Sequence, residues 1–184
     1  MLDFPYKGAK MKNVVIAFLA VMTVVATAGT SSAGGVSLGG GIHYLHNVNE
    51  IDGSDGVDLD ENNLGFVGSV MGHAAFLKLE GQVEYISSYL GTDEGLWIPQ
   101  AWAMVGGPLY AGAGIGIGHF HDEWMSDPFY ALRAGVDLPL GPVGLDMYGT
   151  YQFWNSDAFD EVNESDLDSV TFAALLRFNL GGGD

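Results

Sequence analysis

The sequence LKLEGQVEY at residues 77–85 decides the fold, because apolar and polar residues alternate along it. One side carries Leu77, Leu79, Val83 and Tyr85, and the other carries Lys78, Glu80, Gln82 and Glu84. Successive side chains of a β-strand point to opposite faces, so a period of two predicts a strand with one apolar and one polar face. A tilted strand of about this length is long enough to cross a bilayer.

Seven further segments extend this pattern along the chain. Three are equally regular, with apolar faces formed by Tyr130, Leu132, Ala134, Val136 and Leu138, by Leu145, Met147, Gly149, Tyr151 and Phe153, and by Val170, Phe172, Ala174, Leu176, Phe178 and Leu180. Less regular strands are predicted over about 35–46, 63–72, 96–105 and 108–119. Pro99 lacks an N–H donor and predicts a bulge or a weak spot in the strand that contains it.

The two faces of these strands differ in a way that indicates a membrane. The apolar face is long and continuous, and aromatic residues gather near the strand ends that lead into the long connections, as in an interfacial girdle. These are Tyr44, Tyr85, Tyr89, Trp97, Trp124, Tyr151, Phe153 and Trp154. Lipid offers no partner for an open sheet edge, so the sheet must close. We therefore predict an all-β protein, an eight-stranded antiparallel up-and-down transmembrane β-barrel over residues 34–180.

The polar face carries charges of both signs, which predicts a lumen closed by ion pairs. The predicted lumen cluster consists of Lys78, Glu80, Glu84, Arg133, Asp137, Asp146 and Arg177. Its three cations nearly balance its four anions, as buried charges require. Gly112, Gly114 and Gly116 alternate with apolar residues, so they are expected to face the lumen and leave room for Arg133, or for Trp102 on a neighbouring strand.

The acidic residues outside the strands mark one end of the predicted barrel. Seventeen of the 23 acids lie in segments 47–63, 88–95, 119–128 and 155–168, and none of these segments contains Lys or Arg. The connections between them, 72–75, 106–108 and 139–143, carry no charge. Long acidic connections thus alternate with short neutral ones, which predicts that the two barrel ends face different compartments.

The N-terminal residues have the layout of a secretory signal peptide. Lys7, Lys10 and Lys12 precede an apolar run from Val14 to Val25, which is too short to span a bilayer comfortably. Small residues follow and offer cleavage after Ala28 or Ala33. We predict that residues 1–33 are a signal peptide, with Met11 an alternative start, and that residues 181–184 form a short tail.

Two features raise the question of a metal site. His119 and His121 lie two residues apart beside Asp122, so the three side chains could bind Zn²⁺ or Cu²⁺; the alternative is a pair of interfacial histidines. The segment from Asp52 to Glu61 is dense in acids but lacks the spacing of an EF-hand loop. It is either a solvated loop or a loose site for divalent cations.

Two stretches resemble the small outer-membrane β-barrel superfamily, the OmpA/OmpX-like barrels. These are Leu109-Tyr110-Ala111-Gly112-Ala113-Gly114-Ile115-Gly116 and Ala131-Leu132-Arg133-Ala134-Gly135-Val136-Asp137, within a pattern that covers about residues 34–180. The resemblance implies the outer membrane of a Gram-negative cell, reached through the periplasm. It also implies that both termini lie in the periplasm and that the long loops lie outside.

The expected function is that of a non-enzymatic outer-membrane protein with acidic external loops and a plugged lumen. It would serve the envelope or a surface interaction, with outer-membrane lipid and lipopolysaccharide as partners and divalent cations at the acidic loops. We expect a monomer without a cofactor and without a nucleic-acid partner. The alternatives are a narrow porin-like channel for small solutes or ions and a soluble lipocalin-like carrier. A lipid-modifying enzyme is disfavoured, because Phe153-Trp154-Asn155-Ser156 lacks the histidine that such a site needs.

Overall fold

Eight long antiparallel strands form the protein in the computed structural model, which describes residues 34–47, 62–87, 95–120, 123–125, 128–153 and 169–180. They are β1 (Gly34–Asn47), β2 (Asn62–Ala74), β3 (Leu77–Ile86), β4 (Leu96–Gly106), β5 (Leu109–Gly116), β6 (Phe129–Leu140), β7 (Val143–Phe153) and β8 (Ser169–Asn179). Two-residue strands at His119–Phe120 and Glu123–Trp124 pair with each other between β5 and β6. Within these residues, no helix is long and apolar enough to cross a membrane.

Each strand pairs with its neighbours in the chain, and β8 pairs with β1, so the sheet closes into a barrel. The stagger of the barrel follows from its register. One row of partners runs through Ser37, Met71, Glu80, Trp102, Gly114, Ala131, Gln152 and Ser169, and it returns to β1 at Asn47. The row therefore rises ten residues, from 37 to 47, in one circuit. With the usual strand spacings this stagger corresponds to a tilt of about 40°, within the range of membrane barrels.

Short turns join the strands at one end, which we call the turn end; the opposite end is the loop end. The turns are Ala75–Phe76, Gly107–Pro108 and Gly141–Pro142. Gly141 has φ of 79° at the first position of its two-residue loop, as a type II′ hairpin requires. Ala75 occupies the corresponding position with φ of 52°, an unfavourable angle for a residue with a Cβ.

The strand faces are as predicted. The apolar faces of β3, β6, β7 and β8 lie on the outer wall, where many large apolar side chains among the described residues expose 36% to 75% of their surface and others, such as Tyr85, are half-buried. The interior instead buries polar and charged groups, including Lys78, Glu80 and Arg133. The outer wall is thus apolar and the interior holds the buried charges, the reverse of a soluble barrel.

Pro99 weakens the sheet without the predicted bulge. Its register with Val83 on β3 is unbroken, so the prediction of a bulge is wrong. On the other side, Ile117 N–H donates to the Pro99 carbonyl over 3.2 Å, but Pro99 has no N–H to donate in return. β5 accordingly ends at Gly116, short of the predicted residue 119, and pairing resumes only at Trp97 with His119.

Candidate functional site in the barrel interior

The structure places all seven residues of the predicted lumen cluster inside the barrel. Lys78, Glu80 and Glu84 come from β3, Arg133 and Asp137 from β6, Asp146 from β7, and Arg177 from β8. Six of these residues are buried, and the Asp137 side chain is 25% exposed near the turn end. They alternate with lipid-facing residues on each strand, which is why the sequence pattern could identify them.

Glu80 joins the two arginines at the middle of the cluster. Its Oε2 accepts a hydrogen bond from Arg133 Nη1 over 2.9 Å, and its Oε1 accepts one from Arg177 Nη2 over 2.6 Å. All three side chains are at most 2% exposed. A buried carboxylate with a guanidinium on each oxygen is well compensated, so this contact ties β3 to β6 and β8 across the interior.

Arg133 is held between two aromatic rings. Its guanidinium carbon lies 3.7 Å from the centre of the Trp102 ring and 3.7 Å from the centre of the Tyr148 ring. We call these three residues the interior stack. Arg133 also donates to Gln82 over 2.9 Å and to Thr150 over 3.3 Å. Cation–π contacts are strongest where water is excluded, so the stack fixes the guanidinium across the bore.

A missing side chain on β5 makes room for this stack. A Cβ atom at Gly114 would lie 2.5 Å from two carbons of the Trp102 ring. Gly114 therefore lets the indole lie flat against β5, with Arg133 on it. The sequence indicated that the glycines of β5 would leave room for one of these two side chains, and the structure has Trp102 directly against the glycine.

Arg177 binds a second carboxylate nearer the turn end. Its Nε donates to Asp146 Oδ2 over 2.7 Å, its Nη2 forms an ion pair of 2.6 Å with the same oxygen, and its Nη1 donates to Ser69 over 3.0 Å. The other oxygen of Asp146 accepts from the Tyr110 hydroxyl over 2.6 Å. Arg177 and Asp146 are thus fully engaged with protein groups and carry no free charge toward the bore.

A cavity of about 380 Å³ lies at the turn end. Lys78 and Asp137 form an ion pair of 3.0 Å on its wall, and the turns at Ala75 and Pro108 rim it. Lys78 also lies 4.5 Å above the centre of the Tyr110 ring. This ion pair belongs to the mouth of the barrel, where the Asp137 side chain is 25% exposed.

Comparison with known proteins identifies the fold. No protein-family model and no curated protein matches the chain. Among solved structures, Neisserial surface protein A (NspA) matches with a TM-score of 0.51 and 16% identity, over 80% of this chain and 97% of NspA. The outer membrane protein OprG from Pseudomonas aeruginosa matches with a TM-score of 0.50 and 14% identity, over 82% and 97%. This chain has the fold of the small outer-membrane β-barrels.

Sequence reasoning missed one part of this outer-membrane barrel fold. Large apolar side chains fill part of the interior near the loop end, beside buried polar side chains such as Gln152 and Ser169. The apolar side chains are at most 2% exposed, and they are Leu45, Ile86, Leu96, Ile98 and Phe129. We call them the apolar closure. The signal was present in the sequence, because these strand ends are apolar on both faces and so depart from strict alternation.

Of the three residues of the predicted metal site, the structure describes only His119. His119 packs edge-on against the Trp124 ring, with 4.7 Å between centroids. His121 and Asp122 lie outside the described residues, as do residues 1–33, Asp52–Glu61, Tyr89, Trp154–Ser156 and the tail 181–184. Among the residues that are described, no three His, Cys, Asp or Glu side chains are grouped as metal ligands would be.

Proposed function

We propose that the protein is a non-enzymatic integral outer-membrane protein whose barrel is closed to solutes. In this proposal its function lies in the connections at the loop end, in an envelope or surface-interaction role. The observation that carries the proposal is the interior stack with its ion pairs: Arg133 is fixed by two rings and by three side-chain acceptors in the bore.

The outer wall supports a membrane location. Leu132 and Phe172 are 55% and 59% exposed and belong to a continuous apolar band on the outer wall. A band of this extent is unfavourable in contact with water. Tyrosine and tryptophan on the described outer wall lie toward the loop end, where the ring centroids of Tyr85 and Trp97 are 4.6 Å apart and those of Tyr151 and Phe153 are 4.7 Å apart. Such rings favour the interface between lipid and water. A soluble carrier would bury its apolar face, so this alternative fits the wall poorly.

The contents of the interior favour a barrel that is closed to solutes over a channel. A solute entering from the turn end would reach the cavity and then meet Arg177, the interior stack and the apolar closure in succession. An eight-stranded barrel has space for little more than its own side chains. Passage would therefore require several buried ion pairs to break at once.

Conductance in planar lipid bilayers tests the closed interior. We expect no steady openings from the wild-type protein. Arg133→Ala should give brief openings more often than Lys78→Ala, the comparison variant, because Arg133 lies between two rings in the middle of the interior, whereas Lys78 lies at the turn-end cavity. Steady wild-type openings would favour the narrow-channel alternative and contradict the closed barrel. Heat-modifiable gel migration and fractionation with the outer membrane test the location.

The partners of the loop end follow from its charge. Lipopolysaccharide is anionic, so connections carrying 17 acids and no Lys or Arg need divalent cations to approach it. We propose that Mg²⁺ or Ca²⁺ bridges these connections to the lipid headgroups. A chelator should then increase protease cleavage of the connections in intact vesicles, whereas unchanged cleavage would refute the bridging role.

A further inference from the structure

The turns that surround the turn-end cavity are uncharged, and large apolar side chains project beside them. None of the three turns contains an acidic or basic residue. Phe76, within a turn, is 70% exposed, and Leu109 and Leu140, each next to a turn, are 75% and 60% exposed. Exposed side chains of this size are unfavourable in water, so the turns fit a lipid environment better than an aqueous one.

The length of the outer wall brings these turns to the edge of the membrane. On β6 the lipid-facing residues run from Tyr130 to Leu140, the last residue before the turn. Ten residues at the rise of a strand, tilted by about 40°, cover about 25 Å along the membrane normal. The apolar band of an outer-membrane barrel has about this height. Because the band is complete only when Leu140 is included, the turn end lies at the level of the lipid headgroups.

Lys78 and Asp137 leave hydrogen-bonding groups unused on the cavity wall. Lys78 Nζ has three N–H donors, and one of them donates to Asp137 Oδ2 over 3.0 Å. The other two donors and Asp137 Oδ1 have no hydrogen bond among the described residues. His73 and Asn179 line the same cavity and add further polar groups. The ion pair can therefore bind a polar ligand without losing a contact to the protein.

The charges on the cavity wall select the kind of ligand. Arg177 lines the cavity together with Lys78 and Asp137, but its charge is compensated by Glu80 and Asp146. One positive and one negative group then remain, 3.0 Å apart. A simple anion would be repelled by Asp137, and a simple cation would be repelled by Lys78. A zwitterion, with an anionic group and an ammonium group a few atoms apart, matches both.

We propose that the turn-end cavity binds the phosphoethanolamine headgroup of a membrane phospholipid. Lys78 binds the phosphate and Asp137 binds the ammonium group, while the acyl chains stay outside the wall beside Phe76 and Leu109. The volume of about 380 Å³ lies within the usual range for small-ligand sites, roughly 300–1,000 Å³. Soluble molecules can carry the same zwitterion, but the apolar turns favour a lipid source. The site deepens the proposed function and rests on its membrane location.

Titration of the wild-type protein in dodecyl maltoside micelles with short-chain phospholipids tests the site. Phosphatidylethanolamine should shift the amide NMR signals of Gly106, Gly107 and Gly144 saturably, with an affinity at least about tenfold higher than that of phosphatidylglycerol or phosphatidylcholine. The first of these lacks the ammonium group, and the quaternary ammonium of the second cannot donate a hydrogen bond to Asp137. Equal affinities for the three lipids would overturn the proposal. Equal binding of soluble glycerophosphoethanolamine would overturn the lipid source.

Variants test the two contacts. Lys78→Met and Asp137→Asn should each weaken the binding of phosphatidylethanolamine at least about tenfold. Glu84→Gln is the matched control, because it removes a lumen acid that does not line the cavity, and it should bind as the wild type does. The same loss in Glu84→Gln as in Asp137→Asn would mean that total lumen charge governs binding, and it would overturn the proposed contacts.

Spin labels separate failure of the lipid site from failure of the membrane location. The chain has no cysteine, so Phe76→Cys labels a turn and Leu176→Cys, the control, labels the middle of the outer wall on β8. In vesicles of phosphatidylethanolamine and phosphatidylglycerol, both labels should be more accessible to oxygen than to a water-soluble nickel complex. Nickel access at residue 76 alone would overturn the lipid source of the ligand. Nickel access at both positions would overturn the membrane location itself.

Discussion

Replacing Glu80 by glutamine removes the carboxylate that two buried guanidinium groups share. The side chain keeps its size, but Arg133 and Arg177 each lose a charge-assisted hydrogen bond, of 2.9 and 2.6 Å. Such a bond contributes about 1.5–3 kcal/mol, and breaking a buried ion pair from one side costs about 3–5 kcal/mol. Arg177 keeps Asp146, and Arg133 keeps its two rings. We therefore expect Glu80→Gln to lower the free energy of unfolding by about 3–5 kcal/mol, and not by twice that amount.

Glu84→Gln is the matched control, because it removes the same charge from the same strand. Its Oε1 can still accept from Gln82, so we expect a cost of about 1 kcal/mol at pH 7. Urea unfolding from lipid vesicles, followed by tryptophan fluorescence and extrapolated linearly to zero denaturant, measures both free energies. Equal costs for the two variants would mean that total lumen charge governs stability and would refute the argument from pairing.

Three further predictions use the same unfolding measurement. Gly114→Ala should lower the free energy of unfolding by about 1–3 kcal/mol, because its methyl group would press on the indole of the interior stack. Gly40→Ala is the control and should leave it nearly unchanged, since a Cβ there meets no atom within 4 Å. Met147→Arg, in the middle of the outer wall, should cost about 2–4 kcal/mol, whereas Leu140→Arg at the turn end should cost at most about 1 kcal/mol. Ala75→Gly should stabilise the barrel by up to about 1 kcal/mol, because it relieves the φ of 52°; a loss of stability would contradict this account of the turn.

Strand number and strand faces could be predicted because alternation is a local property. Lys78, Glu80 and Glu84 must share a face wherever the strand lies, so their common placement needs no knowledge of the neighbours. The closing of the sheet followed from the apolar outer face, since lipid cannot satisfy an open edge. Boundaries were less accurate: β2 extends to Ala74, beyond the predicted residue 72, because the tight turn at Ala75–Phe76 lets pairing continue to Leu77.

Contacts across the bore could not be predicted, because they depend on the stagger. Glu80 meets Arg133 and Arg177, which lie 53 and 97 residues away in the chain. Their meeting requires the ten-residue rise of the barrel, and no strand pattern contains that value. The apolar closure was missed for a related reason. Leu96 and Ile98 look like lipid-facing residues until the register assigns them to the interior.

The stagger and the glycines together explain why the bore is closed. Eight strands with a rise of ten residues give a backbone radius of about 8 Å, which leaves room for only one layer of side chains from each wall. Glycines on β5 remove that layer from one wall, and the indole of Trp102 takes the space. Arg133 then lies on the indole in the bore, where Glu80 supplies its counter-charge. Between residues 34 and 180, every acid outside the four acidic segments is one of the four in the lumen cluster. The wall facing lipid therefore carries no acid, and each acid of the lumen cluster lies next to a cation or to His43. An acid that is available to a partner must then lie in the acidic segments at the loop end.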